Sequence, residues 1–272
     1  MDFANPDLLW SPQDLAARLG DPKLRIIDAR VGEAYTMGHI PGARNYSLYG
    51  LNVYDTDEAP LASFVRMWAG QLGEHGIAAD NAIVFYSNAK NSATPRGFWF
   101  LEYLGHKDVH VLDGDFDAWV REGLPVSRDA DVPKTGTFEY ARLNDLVATR
   151  HDVLAAIDDD DTVILDTRSA NEHLGTDKRG AKHGGTIPSA VHQEWLKHMT
   201  PEGLMKTADE LQAQFEALGV TPDKEIIAYC NTGYRSAHAY LALRMLGYPR
   251  VKNYVGSWQE WGNRDDVPIV KP

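Results

Sequence analysis

Residues 226–243 read IIAYCNTGYRSAHAYLAL, and this stretch decides the fold of the second half of the chain. The run from Ile226 to Tyr229 is apolar without alternation, which is typical of a strand buried on both faces of a parallel sheet. Further on, apolar residues recur at helical spacing, at Ala237, Tyr240, Leu241 and Met245. The stretch therefore predicts a strand that ends at Tyr229, a loop over 230–235 and a helix that begins at Ser236.

The predicted loop contains Cys230, the only cysteine among 272 residues. In a tight strand–loop–helix turn, successive backbone N–H groups can point at one spot, and the helix N-terminus adds about half a positive charge behind them. Gly233 suits a turn that needs positive φ, and Arg235 adds a permanent cation. Because such groups favour a thiolate and also bind anions, the sequence predicts that Cys230 is a nucleophile in an anion-binding loop.

Most features of the chain occur twice and in the same order. The segments 24–30, 38–43, 82–86, 103–106 and 113–119 return at 162–168, 185–190, 225–229, 245–248 and 255–261. Ordered repetition of this kind indicates two homologous domains. The stretch 127–138, rich in proline, glycine and charge, is typical of a boundary. We therefore predict a first domain over 1–126, a linker over 127–142 and a second domain over 143–272.

Each half alternates short apolar runs with helical patterns. Ile83–Phe85 is one of the apolar runs, and Ser11-Pro12-Gln13-Asp14 is a typical helix start. Strands of this kind, separated by helices, predict an α/β domain with a mostly parallel sheet flanked by helices. A net charge of −12 makes nucleic acid an unexpected partner, and no apolar run is long enough to span a membrane. The segment MDFANPDLLW does not resemble a secretory signal, and a single cysteine suits a reducing compartment, so we expect a cytoplasmic protein.

Four motifs taken in order resemble the rhodanese family, and in particular its two-domain bacterial thiosulfate sulfurtransferases. They are IIDARVGEAYTMGHIPGA at 26–43, LDTRSANEHLG at 165–175, CNTGYRS at 230–236 and YVGSWQEWGN at 254–263. The resemblance implies tandem rhodanese domains of which only the second is active. The sequence agrees, since Ser87 follows Tyr86 where Cys230 follows Tyr229, so the first domain has no thiol for a persulfide. We expect that domain to have a structural role and to supply one wall of the cleft.

The resemblance implies that Cys230 takes the outer sulfur of thiosulfate as a persulfide and passes it to cyanide or a thiol, without a cofactor. Arg235 is expected to help hold the anionic donor. The expected substrate-binding residues are those of the loop together with one tryptophan after the Ile187-Pro188 turn: Asn231, Thr232, Gly233, Tyr234, Ser236 and Trp195. No metal site is predicted, because His183, His192 and His198 lack ligand spacing and no second cysteine exists.

Two departures from the family pattern leave alternatives open. Asn231 and Thr232 follow the cysteine where vertebrate-type thiosulfate enzymes carry basic residues, and Glu172 stands where those enzymes place an arginine. The physiological donor is therefore open; 3-mercaptopyruvate is an alternative, although its enzymes typically carry a different loop. A sulfur carrier loaded by a partner protein is a second alternative. A cysteine phosphatase is disfavoured because it needs Cys-x5-Arg, and here Ser236 occupies the arginine position.

Overall fold

The computed structural model describes residues 1–50 and 52–272. Within these residues the chain forms two five-stranded sheets in which every pairing between neighbouring strands is parallel. The first sheet has the order β1-β5-β4-β2-β3, from β1 (Leu9–Trp10), β2 (Leu24–Asp28), β3 (Ala43–Asn45), β4 (Ala82–Tyr86) and β5 (Val109–Leu112). The second has the order β6-β10-β9-β7-β8, from β6 (Val147–Ala148), β7 (Thr162–Asp166), β8 (Val191–His192), β9 (Glu225–Tyr229) and β10 (Val251–Tyr254).

The helices of the described residues repeat in the same way. The first half contains α1 (Pro12–Ala16), α2 (Gly32–Met37), α3 (Glu58–Glu74), α4 (Ala93–Tyr103) and α5 (Asp115–Arg121). The second half contains α6 (Arg150–Ala156), α7 (Ala170–His173), α8 (Ala208–Glu216), α9 (Arg235–Met245) and α10 (Ser257–Trp261). Strand orders 1-5-4-2-3 and 6-10-9-7-8 are the same order shifted by five, so the predicted α/β fold with a tandem repeat is confirmed.

Both faces of each sheet are buried, as the unalternating apolar runs predicted. Along β4, Ile83 and Phe85 belong to one apolar cluster and Val84 and Tyr86 to another on the opposite face. The same division occurs along β9. Ala228 belongs to the same apolar cluster as Ile83 and Phe85, and Tyr229 belongs to a separate cluster on the opposite face. Helices on both faces therefore complete a three-layer arrangement in each half.

One apolar core runs through both halves, because the cluster on the inner faces of the two sheets is continuous. Its centre is the packing of α4 on α9, where Phe98 and Tyr240 lie with ring centroids 6.4 Å apart. Polar contacts border this core: Glu102 of α4 accepts a hydrogen bond from Tyr240 at 2.7 Å and pairs with Arg244 at 3.1 Å. The two halves thus bury apolar surface against each other, which brings the ends of α4 and α9 close together.

Helix starts follow the capping chemistry of the sequence. Ser11 accepts a hydrogen bond from the backbone N–H of Asp14 at 3.1 Å, and Thr149 accepts one from Asp152 at 3.3 Å at the equivalent position of the second half. Residues 128–143 contain neither helix nor strand. The end of this segment packs along the first half, because the backbone N–H groups of Ala141 and Leu143 donate to the backbone oxygens of Leu104 and Tyr103. No helix within 1–50 or 52–272 has the length and apolar character needed to cross a membrane.

Candidate active site

The Cys230 loop lies at the carboxyl edge of the second sheet, between β9 and α9. β9 is the middle strand of the order β6-β10-β9-β7-β8, and it ends at Tyr229 as predicted. The helix begins at Arg235, one residue before the predicted start. Carboxyl ends of strands in open parallel sheets are the usual place for ligand sites. The fold therefore places the only thiol of the chain where chemistry is expected.

Backbone N–H groups of the loop surround the sulfur. The N–H of Gly233 donates to Cys230 Sγ at 3.1 Å, and Ser236 Oγ lies 3.6 Å from the same atom. The backbone N–H groups of Thr232 and Ser236 also stabilise the negative charge of the sulfur and lower the pKa of the thiol. The backbone N–H of Cys230 donates to Ser257 Oγ at 3.1 Å, which fixes the start of the loop. The loop is thus a ring of donors around one sulfur atom.

Gly233 makes this ring possible. Its φ of +81° lies in the left-handed region, as the turn was expected to require. A Cβ added at this position would lie 2.7 Å from Arg96 Nη1 and 2.9 Å from the backbone oxygen of Val255. Glycine is therefore required both by the backbone conformation and by the close approach of its neighbours.

The electrostatics of the loop favour a thiolate. Burial alone would raise the pKa of the Cys230 thiol, but the Arg235 charge and the hydrogen bonds from Ser236 and Thr232 outweigh it, and the pKa lies below its ordinary value. The side chain is only 1 % exposed, yet it lies at the wall of the cleft described below. Cys230 is therefore a shielded thiol whose ionised form is stabilised.

The loop cation is held by a carboxylate that the sequence did not predict as its partner. Arg235 donates to both oxygens of Glu172, with Nη1–Oε2 at 2.6 Å and Nη2–Oε1 at 2.7 Å. Glu172 also closes the capping box of α7 with Ser169. Burial lowers the pKa of Arg235, but Glu172 and the Cys230 charge outweigh this effect and raise it, so the guanidinium stays protonated. Arg235 thus forms an ion pair with Glu172 and at the same time lowers the pKa of the Cys230 thiol.

A cleft of about 490 Å³ opens onto the loop. Its lining from the second half comprises Cys230 and the loop residues Asn231, Thr232, Tyr234 and Arg235, together with Ser169, Glu172, Asp177 and Arg179. Its lining from the first half comprises Tyr49, Gly50, Asn52 and Ser92. Tyr49 stacks against Tyr234 with ring centroids 6.4 Å apart. The first half therefore supplies one wall of the cleft, as was expected of it.

Three of the predicted binding residues lie outside this lining. Gly233 and Ser236 do not face the cleft. The backbone N–H of Gly233 contacts the sulfur, and the hydroxyl of Ser236 donates a hydrogen bond to Asn253 at 2.7 Å. Trp195, which was expected at the pocket wall, begins a 3-10 turn and lies edge-on to His238, with ring centroids 5.5 Å apart. Trp195 is 8 % exposed, its ring packs against His238 of α9, and it is not among the residues that line the cleft.

Sequence reasoning missed the first-half residues of the cleft. Tyr49, Asn52 and Ser92 belong to segments without a chemical motif, and only the packing of the two halves brings them to the thiol. Asp177 and Arg179 follow the motif at 165–175 by a few residues, but nothing in their spacing marks them. Among the described residues no group of three or more His, Cys, Asp or Glu side chains is arranged to hold a metal ion.

The equivalent loop of the first half has a different chemistry. Ser87 follows β4 where Cys230 follows β9, and its backbone N–H donates to Asp115 Oδ1 at 2.6 Å, as that of Cys230 does to Ser257. Asp115 also accepts a hydrogen bond from Thr94 at 3.0 Å. Burial raises the pKa of Asp115 to about 8. The first loop thus keeps the backbone arrangement, but it has no thiol and is hydrogen-bonded to the buried carboxyl of Asp115 in α5.

Comparison with known proteins agrees with this geometry. The family model described as "Rhodanese-like domain" matches residues 11–122 and 149–264. A thiosulfate sulfurtransferase of Azotobacter vinelandii is 36 % identical over 268 residues, which cover 98 % of each chain. The sulfur carrier protein TtuD of Thermus thermophilus is 36 % identical over 288 residues, covering 100 % of this chain and 99 % of the relative.

Among solved structures, the anaerobic ergothioneine biosynthesis enzyme of Chlorobium limicola, in complex with trimethyl histidine, superposes with a TM-score of 0.86. The match covers 98 % of this chain and 71 % of that one at 23 % identity, so it supports the fold alone. The two matched repeats, the full-length relatives and the thiol loop at the end of β9 lead to one conclusion: this chain belongs to the rhodanese family and contains two rhodanese-like domains in tandem.

Proposed function

We propose that this protein is a sulfurtransferase that takes the sulfane sulfur of thiosulfate onto Cys230 and passes it to cyanide or to a thiol. The observation that carries the proposal is the Cys230 sulfur itself. It accepts the N–H of Gly233 at 3.1 Å, its pKa is lowered despite burial, and it lies at the wall of a cleft of about 490 Å³. A stabilised thiolate with access to a small anion is what covalent sulfur transfer requires.

In the first step, the Cys230 thiolate attacks the outer sulfur of thiosulfate. A new S–S bond forms to Cys230, the S–S bond of thiosulfate breaks, and its electron pair leaves with sulfite. The products are a persulfide anion and sulfite, so charge is conserved and no proton or outside oxidant is needed. The Gly233 N–H and the Arg235 charge face the growing negative charge.

In the second step, an acceptor attacks the outer sulfur of the persulfide. With cyanide, a C–S bond forms, the S–S bond breaks and Cys230 returns to the thiolate, releasing thiocyanate. With a thiolate acceptor, the sulfur leaves as the acceptor's own persulfide. Tyr234, Asn231 and Thr232 line the path of approach. Kinetics of the ping-pong type are expected, because the donor product leaves before the acceptor reacts.

The geometry of Arg235 supports sulfur transfer over phosphoryl transfer. A phosphatase loop needs an arginine whose planar fork is free to take two phosphate oxygens. Here both terminal nitrogens of Arg235 are engaged by Glu172, at 2.6 and 2.7 Å. The donors of the ring already converge on the single sulfur of Cys230. An aryl phosphatase activity of the pure protein would contradict this assignment.

The decisive experiment is intact-mass measurement after separate incubation with thiosulfate and with 3-mercaptopyruvate. We expect thiosulfate to add one sulfur atom, about 32 Da, per chain. The Cys230→Ser variant should gain no mass and should form no thiocyanate, because a hydroxyl at this position cannot hold a persulfide. Loading of the serine variant would refute the role of Cys230, and loading by mercaptopyruvate alone would reassign the donor.

A sulfur carrier that receives its cargo from a partner protein is the second candidate, and one observation favours it. Glu172 engages the cation of the loop, which weakens the attraction of Arg235 for a doubly charged donor. Persulfide delivered by a partner needs no such cation. The name of the Thermus thermophilus relative supports the same alternative. Steady-state thiocyanate formation from thiosulfate, compared with loading by a cysteine desulfurase, separates the two.

We also propose that the protein works in the cytoplasm. A function that depends on one free thiol, in a chain with no other cysteine, is served by a compartment that keeps thiols reduced. Fractionation of cells followed by immunodetection tests this placement.

A further inference from the structure

A buried arginine of the first domain reaches the thiol loop of the second. Arg96 is the fourth residue of α4 and is 0 % exposed. Its Nη1 donates to the backbone oxygen of Gly233 at 3.3 Å, across 137 positions of the sequence. The same oxygen accepts a hydrogen bond from Asn253 at 3.0 Å. The residue whose N–H donates to the Cys230 sulfur is therefore fixed on its other side by Arg96.

Within the part of the chain that the structure describes, the charge of Arg96 has no carboxylate partner. Among residues 1–50 and 52–272, its Nε and Nη2 make no hydrogen bond, and it forms no ion pair within 4.0 Å. Aromatic rings surround the guanidinium, with centroids at 4.9 Å for Trp99, 5.2 Å for Tyr234 and 6.0 Å for Phe64. A desolvated charge without an opposite charge is costly, and cation–π contacts offset only part of that cost.

Arg96 nevertheless stays protonated. Burial lowers its pKa to about 10, and the charges of Tyr234 and Cys230 oppose that fall. A pKa of about 10 still leaves the guanidinium charged at neutral pH. Tyr234 and Cys230 are the two groups whose negative charge would favour the charged form of Arg96. A phenol ordinarily has a pKa of about 10, whereas the pKa of the Cys230 thiol is lowered, so we take the Cys230 thiolate as the compensating charge near neutral pH, and its persulfide anion after loading.

The reciprocal position in the other repeat shows that this charge is specific to the thiol loop. His238 is the fourth residue of α9, as Arg96 is of α4. It lines a small cavity together with Asp113, Gly114 and Asp115, at the loops of the first domain. Burial lowers the pKa of His238 to about 4, so this side chain is neutral at physiological pH. The fourth residue of α4 and the fourth residue of α9 thus each lie at a loop of the other repeat, and of these two side chains only Arg96, at the thiol loop, is charged.

We propose that Arg96 is a positioning residue of the active site: its buried guanidinium holds Gly233 in place and supplies a fixed positive charge behind the loop, whose counter-ion is the thiolate or persulfide of Cys230. The proposal rests on the proposed function only in taking Cys230 as the reacting group. It gives the first domain a role in the chemistry, because a residue of that domain sets the charge of the site.

The test is the pH dependence of Cys230 alkylation by iodoacetamide, followed by intact mass. Since Cys230 is the only cysteine, each added carbamidomethyl group reports on that thiol. Two variants separate charge from hydrogen bonding: Arg96→Gln keeps a donor for Gly233 without the charge, and Arg96→Lys keeps the charge. The control is Arg244→Gln, which removes a different cross-domain ion pair, at 3.1 Å from Glu102.

The charged groups around the thiol are Arg96 on α4, Arg235 on α9, Glu172 on α7, and Asp177 and Arg179 at the cleft wall. All except Arg96 are kept in both variants. We expect R96Q to raise the apparent pKa of alkylation by about one unit or more, R96K to leave it near the wild-type value and R244Q to leave it unchanged. Equal pKa values in all four proteins would overturn the proposal. Equal shifts in R96Q and R96K would also overturn it, because the role would then be steric.

A measurement on the wild-type protein covers the case in which R96Q does not fold. In protein labelled with ¹⁵N-arginine, the Nε–H signal that disappears in R96K belongs to Arg96. We expect its chemical shift to titrate with the same apparent pKa as Cys230 alkylation, and the inflection to vanish after alkylation. A signal that is flat with pH would overturn the proposal. Neither measurement uses a sulfur donor, so failure of sulfur loading by thiosulfate would count against the proposed function and leave this result intact.

Discussion

At the scale of single residues, the site balances two opposite demands on Arg235. The guanidinium lowers the pKa of the Cys230 thiol, but its two terminal nitrogens are held by Glu172. A carboxylate this close competes with any anionic donor for the same cation. Glu172 fixes the orientation of Arg235, and we expect it to weaken the attraction of the loop for thiosulfate.

Replacing Glu172 with glutamine tests this balance. Glutamine can still close the capping box of α7 with Ser169, so the helix start is kept. Without the carboxylate, Arg235 is freer to bind the anionic donor, so we expect the KM for thiosulfate to fall on the order of tenfold. This size follows because a hydrogen bond to a charged group is worth about 1.5–3 kcal/mol. Steady-state thiocyanate formation measures it. Glu102→Gln, at the ion pair with Arg244 of α9, is the matched control and should leave KM unchanged. An unchanged KM in E172Q would show that Glu172 does not compete with the donor.

The lowered pKa of Cys230 also predicts a pH dependence of stability. In the folded state the thiol binds its proton less tightly than in the unfolded chain, so the stabilisation is complete above the ordinary thiol pKa. It is lost as the pH falls through the lowered, folded-state value. The Cys230→Ser variant lacks this contribution, and other titrating groups cancel in the comparison. We expect the difference in free energy of unfolding to grow in favour of the wild type as pH rises across that window. Urea unfolding at a series of pH values measures it, and a constant difference would argue against a stabilised thiolate.

At the scale of elements, the strand–loop–helix unit β9–α9 could be predicted from its sequence because its determinants are local. Ile226–Tyr229 and the spacing of Ala237, Tyr240 and Leu241 specify a strand and a helix without help from the rest of the chain. The start of α9 at Arg235 was missed by one residue. Local sequence patterns also predicted the loop, because the groups around the sulfur all come from the short segment 230–236.

The conformation of Gly233 gives an element-scale prediction with an internal control. In Gly233→Ala the backbone must keep a φ of +81° while a Cβ meets Arg96 Nη1 and the oxygen of Val255. Gly219, at the end of α8, has a similar φ of +73° but nothing within 4 Å of an added Cβ. We expect G219A to lose about 1 kcal/mol of stability and to load sulfur normally. G233A should lose about 2–4 kcal/mol and load sulfur poorly, because strain and a backbone clash add together. Urea unfolding and intact mass measure the two effects, and equal behaviour of the variants would refute the tight-packing explanation.

At the scale of the whole molecule, the contacts that complete the site could not be read from the sequence. The repeat predicted two α/β domains, and the structure confirms that fold. Arg96 and Gly233 are 137 positions apart, and no pattern in the segment 87–97 indicates that its arginine faces the other domain. Trp195 was expected at the cleft because it follows a turn closely in sequence. Position in the sequence does not fix which side of α9 a residue faces, and Trp195 packs against His238. Contacts between domains depend on how two complete folds pack, which short-range patterns do not encode.

The continuous core predicts that both domains unfold together. Its members come from the inner faces of both sheets, and polar contacts such as Thr56 Oγ1 to Glu260 Oε2 at 2.8 Å extend the interface. Neither half can unfold without exposing apolar surface of the other. We expect circular dichroism and tryptophan fluorescence to give coincident, single urea transitions. Thr56→Val should shift that one transition by about 1–3 kcal/mol, because it leaves the Glu260 carboxylate buried without these hydrogen bonds. Two separate transitions would contradict a shared core.

The solitary thiol has a consequence for how this protein meets oxidants. If peroxide converts Cys230 to a sulfenic acid, no neighbouring cysteine of the same chain exists to trap it as a disulfide. Further oxidation to the sulfinic acid is irreversible for most proteins. Reduction of the sulfenic acid before that step depends on a reductant small enough to reach Cys230, which is 1 % exposed at the wall of the cleft. An acceptor of sulfur and a reductant of oxidised Cys230 must therefore approach through the same cleft.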